Sequence, residues 1–346
     1  NVYYSSGSDI STITMLKRLA ATFFTLDSEP VFGVHANEEV TARNSTWIKD
    51  IRVYEGGEWE PLKPIEFLAD ILKEKASEEA RVGIEIHDLS GASFDYLRKL
   101  MPNARFSDCK LLFDGMRAIK SAEEISLLSN AAMATAKAIT VAFEMARPGD
   151  TERSIARNMM DLTIAYGADS IAFVTLGGGE NIFETHHVPG DYGIKKGDLL
   201  HTDFGAYFKG YLSDISRMAA VGKPDDTQLK AYEIAVGAQW ATAKALRAGT
   251  RVMDVHETVK DFYESEGLEY KRAFVGHSIG IGCHESPFLG PSFAEWVLEP
   301  NMIFEVEPSV VIGHARTHTE DTFLVTEDEP RILSDYRDVS EIQIIR

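Results

Sequence analysis

Two aspartates sit where carboxylates are costly. In GDLLHTDFGAYFKGYLSDISR, from Gly197, Asp203 and Asp214 lie inside apolar, strand-like runs. A buried carboxylate is unfavourable unless a cation neutralises it. Alternate residues of a strand share a face, so His201, Asp203 and Gly205 point one way, and Asp214 returns to the same neighbourhood on a partner strand. Three more residues stand in similar frames downstream: His277 in VGHSIGIG, Glu307 in MIFEVEP and Glu320 in THTEDTFLV. Together they make a mixed oxygen and nitrogen donor set without a thiolate, which suits Mn, Co, Fe(II) or Zn. Four carboxylates exceed what one divalent ion needs. Two ions about 3.5–4 Å apart, bridged by carboxylates, balance the charge and hold a hydroxide between them.

The elements that must position these residues come in two rounds. RPGDTERSIARNMMDLTIAYGAD, from Arg147, aligns with RAGTRVMDVHETVKDFYESEGLE, from Arg247, pairing Gly149 with Gly249 and Gly167 with Gly267. ATAKA occurs upstream of each, at 134–138 and at 241–245. Strands follow both rounds: IAFVTLGGGENIF, then KKGDLLHTDFG and FKGYLSDISRMAAVG as an antiparallel pair, and later GHSIGIG, NMIFEVEPSVVI and HTEDTFLVTED. The pattern predicts a duplicated helix–helix–sheet unit with a site between its halves. Ser121 and Glu124 form a capping box that opens the first long helix. The Gly-rich TLGGGEN has no following Lys and is not a phosphate loop.

Residues 1–112 mix β-rich runs (PVFGVHA, DIRVYE, RVGIEI) with helical ones (ISTITMLKRLAATFFT, PIEFLADILKEKA), which predicts a small α/β layer ahead of a second domain over 113–346. At 346 residues, two domains are expected. A net charge of −19 argues against nucleic acid or an anionic membrane as partner, because either needs a basic footprint. No uncharged apolar run reaches the length of a membrane span. Cys109 and Cys283 show no CxxC spacing, which fits a reducing, cytoplasmic setting. The chain starts on NVYYSSG, a strand-like run without Met, which leaves room for a segment ahead of it.

These stretches resemble a known family. GDLLHTDFGAYFKGYLSDISR, GHSIGIGCHESP, MIFEVEP and HTEDTFLVTED are similar to the successive signatures of the pita-bread metallopeptidases, which include prolidase, aminopeptidase P and methionine aminopeptidase. IKSAEEI and PGDTERSIA resemble its connecting motifs, and NVYYSSG resembles an early strand of its creatinase-like N-terminal domain. The likeness covers essentially the whole chain and is nearest to the prolidase and aminopeptidase P branch. It implies an α+β fold, with a pita-bread domain behind a smaller α/β creatinase-like domain. It implies Xaa-Pro peptide cleavage with two divalent ions, Mn foremost, in a homodimer. Asp203 and Asp214 become ligands with Asp214 bridging, His277 and Glu307 hold one ion, and Glu320 bridges both. Glu307 would also carry the proton to the leaving nitrogen. His186, in ETHHVPGD, and His284, in GCHESP, take the places of substrate-contacting, catalytic histidines, and His187 is the alternative to His186.

The departures cluster around this set. The branch carries Arg two residues before the last glutamate, where this chain has His318; Arg316 is shifted by two, and both are candidate substrate-binding residues. His318 is expected to hold the inner shell less firmly than a planar guanidinium would. Ser309 replaces the glycine of an EPG motif, and His201 stands where an apolar residue is usual. His201 is expected to reach the metal site directly or through one water. These changes leave open a non-peptidase reading, a lyase or amidinohydrolase of a small zwitterionic compound, and more remotely a non-catalytic binding module.

Overall fold

The computed structural model describes residues 1–10, 16, 18–57 and 59–346, and the chain divides into two compact units, Asn1–Phe113 and Asp114–Arg346. In the first unit, β1 (Ala21–Phe23) runs antiparallel to β2 (Val31–His35), which is parallel to β3 (Asp50–Tyr54). A second small sheet pairs β4 (Arg81–Ile84) with β5 (Arg105–Asp108) in parallel. The helices whose full range lies among the described residues are α1 (Val2–Ser6), α2 (Glu39–Ser45), α3 (Lys63–Lys75), α4 (Gly91–Leu100) and α5 (Lys110–Ala118), the last spanning the division. α3 buries Ile65, Leu68, Ala69 and Ile71 on one face, against Phe23, Val31 and Leu97.

Two local expectations fail here. NVYYSSG is a helix, not a strand: Gly7 ends it in the left-handed region at φ 71°, with its N–H on Tyr3 O. Ser5 and Ser6 hydroxyls satisfy main-chain carbonyls within the turn. The helical reading of ISTITMLKRLAATFFT also runs too far, because Ala21–Phe23 pairs with Val31–Gly33 as strand. Residues 11–15 and 17 of that run lie outside the described residues.

The second unit is built twice. α6 (Ala122–Met145) and α7 (Glu152–Ala165) precede β6 (Ser170–Gly178), β7 (Leu199–Phe208), β8 (Tyr211–Leu212) and β9 (Ile215–Val221). α8 (Asp226–Lys244) and α9 (Val252–Ser265) precede β10 (Gly276–Ser278), β11 (Glu285–Phe288), β12 (Ile303–Val306), the hairpin β13 (Ser309–Ile312) and β14 (Ala315–His318), β15 (Asp321–Leu324) and β16 (Arg331–Ile332). The final β17 (Gln343–Ile345) joins the first sheet parallel to β9. Sheet orders are β17-β9-β7-β6, with β8 on β7, and β11-β10-β12-β15-β16.

The duplication is visible in detail. Gly149 N donates to Ile194 O and Gly249 N to Leu298 O, both at 2.8 Å. Thr151 bridges Gly193 and Arg251 bridges Val297. Gly149, Gly249, Gly167 and Gly267 all take positive φ, so the paired glycines mark paired turns. Each half has its own core: Leu128, Ala132, Ile139, Phe143, Met159 and Phe204 in one, Ala231, Ala235, Val255, Val259, Phe304 and Phe323 in the other. α6 opens on the expected Ser121–Glu124 capping box. It is also the one helix, among the described residues, long and apolar enough to cross a membrane; half of that stretch is buried in the protein's own core, and it carries Lys137.

Candidate metal centre

The two sheets deliver the acidic residues to one place. β7 and β9 are antiparallel with Asp203 opposite Ser216, so Asp214, just before β9, lies across from the Gly205 end of β7. Gly205 is required there: a Cβ would stand 2.6 Å from Ser213 O and closer still to the Phe173 ring. From the other sheet come His277 on β10, Glu307 immediately after β12 and Glu320 immediately before β15. Gly276 lets β10 approach β12, since a Cβ would meet Glu305 O at 2.0 Å. Glu320 N donates to Ser216 O at 3.2 Å and Arg217 Nη1 to Glu320 O at 2.6 Å, which ties the sheets together beside the cluster.

His277 Nε2 lies 3.9 Å from Asp214 Oδ2, 3.9 Å from Glu307 Oε1 and 3.8 Å from Glu320 Oε1. Two sets of donor atoms, Asp203–Asp214–Glu320 and Asp214–His277–His284, each fall within 4.8 Å of one another and share Asp214. Among the described residues, neither Asp203 Oδ1 nor Asp214 Oδ1 has a hydrogen-bond partner, although both are buried. Orphaned buried carboxylate oxygens in a cluster of excess negative charge fit a divalent cation.

The electrostatics agree. Burial, then the charges of Asp203 and Glu305, push the Asp214 carboxyl well above the usual range. Burial, then Asp214 and Asp203, do the same to Glu320, and burial raises Asp203. Glu307 goes the other way: burial is outweighed by the His318 hydrogen bond and the Arg272 charge, which hold its carboxyl low. Burial pushes His277 down to about 4, so its imidazole is neutral. Its Nδ1–H donates to Ser278 O at 3.1 Å, which leaves the Nε2 lone pair facing the carboxylates.

These shifts set the pH dependence of the metal-free protein. Asp214 and Glu320 bind protons more tightly folded than unfolded, so their contribution is full below about pH 4 and is lost as pH rises through their folded values. His277, depressed on folding, contributes a rise with pH that is complete near its unfolded value of about 6.5. Above that pH the ionisation of the raised carboxylates takes stability away, so the melting temperature in chelator should fall between about pH 6.5 and 8, above which the buried Lys120, held down to about 8, opposes the trend. Divalent ions bind the deprotonated forms and should flatten or reverse that slope. A chelator curve that rises over this range would contradict the assignment.

His201 and His318 form a chain that leads to Glu307. His318 Nε2 lies 3.3 Å from Glu307 Oε2, and its Nδ1 lies 3.1 Å from His201 Nε2. Ser216 Oγ is 2.8 Å from His201 Nε2. Ionised Glu307 can only accept, so His318 Nε2–H donates to it, while His201 Nε2 lies within hydrogen-bond reach of both Ser216 Oγ and His318 Nδ1. His201 lies on the Asp203 face as expected, but it reaches the cluster through His318 and not directly. His201→Leu should therefore weaken metal affinity toward the lower end of about 10–100-fold, measured by calorimetric titration; unchanged affinity would leave His201 a packing residue.

The other sequence-derived candidates occupy distinct places. His284 is exposed, with its ring centroid 4.2 Å from that of His277. His186 is exposed on the segment after β6. His187 is tied elsewhere, at 3.0 Å from Glu152 Oε2 and 2.7 Å from Glu184 Oε2. Buried Glu152 also accepts from Gly178 N, Gly190 N and Asn181 Nδ2, and so anchors the segment that carries His186. Arg316 Nη1 donates to Ile182 O at 2.6 Å, and among the described residues it makes no hydrogen bond to the cluster.

Sequence reasoning missed several neighbours. Cys283 Sγ donates to Asp214 Oδ2 at 2.9 Å. Glu305, fully buried, accepts from Thr322 Oγ1 at 2.9 Å; its place two residues before Glu307 was the available signal. Arg272, which donates to Glu307 Oε2 at 2.6 Å, carries no local signal at all.

Comparison with known proteins places the chain. Residues 126–327 match metallopeptidase family M24, and residues 1–119 match the creatinase/prolidase N-terminal domain. The Xaa-Pro dipeptidase of Lactobacillus helveticus is 33% identical, over 90% of this chain and 85% of that protein. Among solved structures, a dipeptidase from Pyrococcus horikoshii is 29% identical with a TM-score of 0.84, covering 100% of this chain and 93% of its own. An Xaa-Pro dipeptidase from Bacillus anthracis is 26% identical with a TM-score of 0.85, covering 99% and 92%. With the pita-bread architecture and the creatinase-like domain ahead of it, the chain belongs to metallopeptidase family M24, in its prolidase and aminopeptidase P branch.

Proposed function

We propose that this chain hydrolyses the peptide bond preceding proline, as an Xaa-Pro dipeptidase or aminopeptidase P type enzyme, with two divalent ions held by Asp203, Asp214, His277, Glu307 and Glu320. The observation that carries the reading is the pair of overlapping donor sets sharing Asp214, with buried oxygens left unpartnered. The named activities of its relatives supply the substrate class. In this reading Asp214 and Glu320 serve both ions, and manganese suits the oxygen-rich donor set. The domain reading, creatinase-like over 1–112 and pita-bread over 113–346, goes with it, as do a homodimeric assembly and a cytoplasmic setting.

When bound, such ions supply Lewis acidity to the scissile carbonyl and lower the pKa of water. The chain's own groups do the rest. Glu307, held as an anion, accepts a proton from the attacking water and returns it to the departing proline nitrogen. His186 and His284, exposed beside the buried cluster, donate to the oxygen on which charge develops or to a substrate carboxylate. His318 and Arg272 keep the Glu307 side chain in place.

The test is an assay of the Mn- and Co-loaded protein against Xaa-Pro dipeptides and longer peptides with proline at the second position. Cleavage that requires added metal and spares peptides without that proline supports the reading. No turnover of any Xaa-Pro peptide by fully metallated protein would overturn it in favour of a small zwitterionic substrate.

A further inference from the structure

Glu307 is gripped from a stretch that no motif marks. Arg272 lies between α9 and β10, with about a third of its side chain exposed. Its Nη2 donates to Glu307 Oε2 at 2.6 Å, and its Nη1 donates to the main-chain oxygen of the same residue. Three residues on, Val275 O accepts from Glu307 N at 2.9 Å. One short segment thus holds Glu307 by its carboxylate, its carbonyl and its amide, and then runs directly into His277. The clamp falls on Oε2, the oxygen that His318 Nε2 also approaches at 3.3 Å. Oε1 is left toward His277.

We propose that Arg272 is the positioning residue for Glu307, a guanidinium supplied from the segment before β10. Position 318 carries histidine, which offers Glu307 a single N–H; position 316 carries the nearby arginine, but its Nη1 is spent on Ile182 O. Arg272 offers a charged, planar fork, and a charge-assisted bond to a carboxylate is about twice as strong as a neutral one. Fixing Oε2 and the carbonyl together restricts both the side-chain torsions and the backbone of Glu307, so one oxygen points at the cluster. Among the described residues Arg272 makes no hydrogen bond to the other carboxylates or to His277, so its geometric hold on the cluster passes through Glu307.

The inference rests on Glu307 being a ligand and proton carrier, and the experiment separates the two. Wild type, Arg272→Lys and Arg272→Ala are titrated with Co(II), followed by the visible ligand-field spectrum, and assayed for kcat and KM on a peptide the wild type cleaves. Arg272→Ala should bind cobalt about 10–100-fold more weakly, with an altered spectrum, and lose kcat by a similar factor with KM little changed. Arg272→Lys and millimolar guanidinium added to Arg272→Ala should each restore part of both. Wild-type affinity, spectrum and kcat in Arg272→Ala would overturn the assignment. So would a loss that neither lysine nor guanidinium restores and that tracks a lowered melting temperature, the mark of a purely structural arginine. If the wild type itself shows no cobalt spectrum, the reading of Glu307 falls, and this inference with it.

Discussion

Replacing Asp214 by Asn, or Glu320 by Gln, should leave a protein that holds one divalent ion or none and whose peptidase activity falls by several orders of magnitude. Both carboxylates are buried beside like charges, which push them up. Burial, then those like charges, make each oppose folding of the metal-free chain at neutral pH, and replacing the ionisable group by an amide removes that cost. The metal-free variants should melt at the same temperature as the wild type or higher, while losing activity, as expected where a site is strained for function. Elemental analysis and thermal unfolding in chelator check both halves. Full metal occupancy in either variant would contradict the shared-ligand role, and a large drop in metal-free melting temperature would mark an ordinary structural carboxylate.

Glu307→Gln should behave oppositely in stability and similarly in activity. The amide keeps the shape and can still meet Arg272 and His318, but it can neither carry a proton nor neutralise the guanidinium. kcat should fall by about 10²–10⁴-fold, the usual worth of a positioned acid–base group. Glu307 is held low on folding, so its contribution is present above the unfolded value of about 4.3 and is lost as pH falls through the folded one. The metal-free variant should therefore melt below wild type at pH 7, with the difference shrinking toward acid. Opposite signs for Asp214→Asn and Glu307→Gln in one set of melting curves would show that Arg272 and His318 serve one carboxylate selectively. Equal signs would remove that claim.

The candidate cluster could be picked out in the sequence because its chemistry clashes with its setting. Asp203, Asp214, His277, Glu307 and Glu320 are ionisable residues in or beside apolar strand runs; alternation puts only His201 and Asp203 on a common face, and the meeting of Asp214 with His277, Glu307 and Glu320 depends on two separate sheets. The duplication was legible because glycines recur where both halves need positive φ, at 149 and 249 and at 167 and 267. Contacts made only by tertiary folding were not. Arg272 sits in EYKRAF, with nothing nearby to separate it from a solvated arginine, and its partner is 35 residues on. His201 was placed on the correct face, yet its partner His318 lies 117 residues away, so no strand rule could supply the chain to Glu307. At the N-terminus, VYYSS has the aromatic content of a strand, but Gly7 and two serine hydroxyls close it into a helical turn. Alanine-rich AAT reads as helix by propensity, whereas pairing with Val31–Gly33 decides it as strand.

The central claim is that Asp203, Asp214, His277, Glu307 and Glu320 hold two divalent ions that share Asp214 and Glu320. Anomalous diffraction at the manganese edge, from crystals of the Mn-loaded protein, tests it most directly. The account predicts two peaks about 3.5–4 Å apart, both within coordination distance of Asp214 and Glu320, with His277 and Glu307 on one of them. A single peak, or peaks that leave Asp214 and Glu320 without a metal, would contradict it.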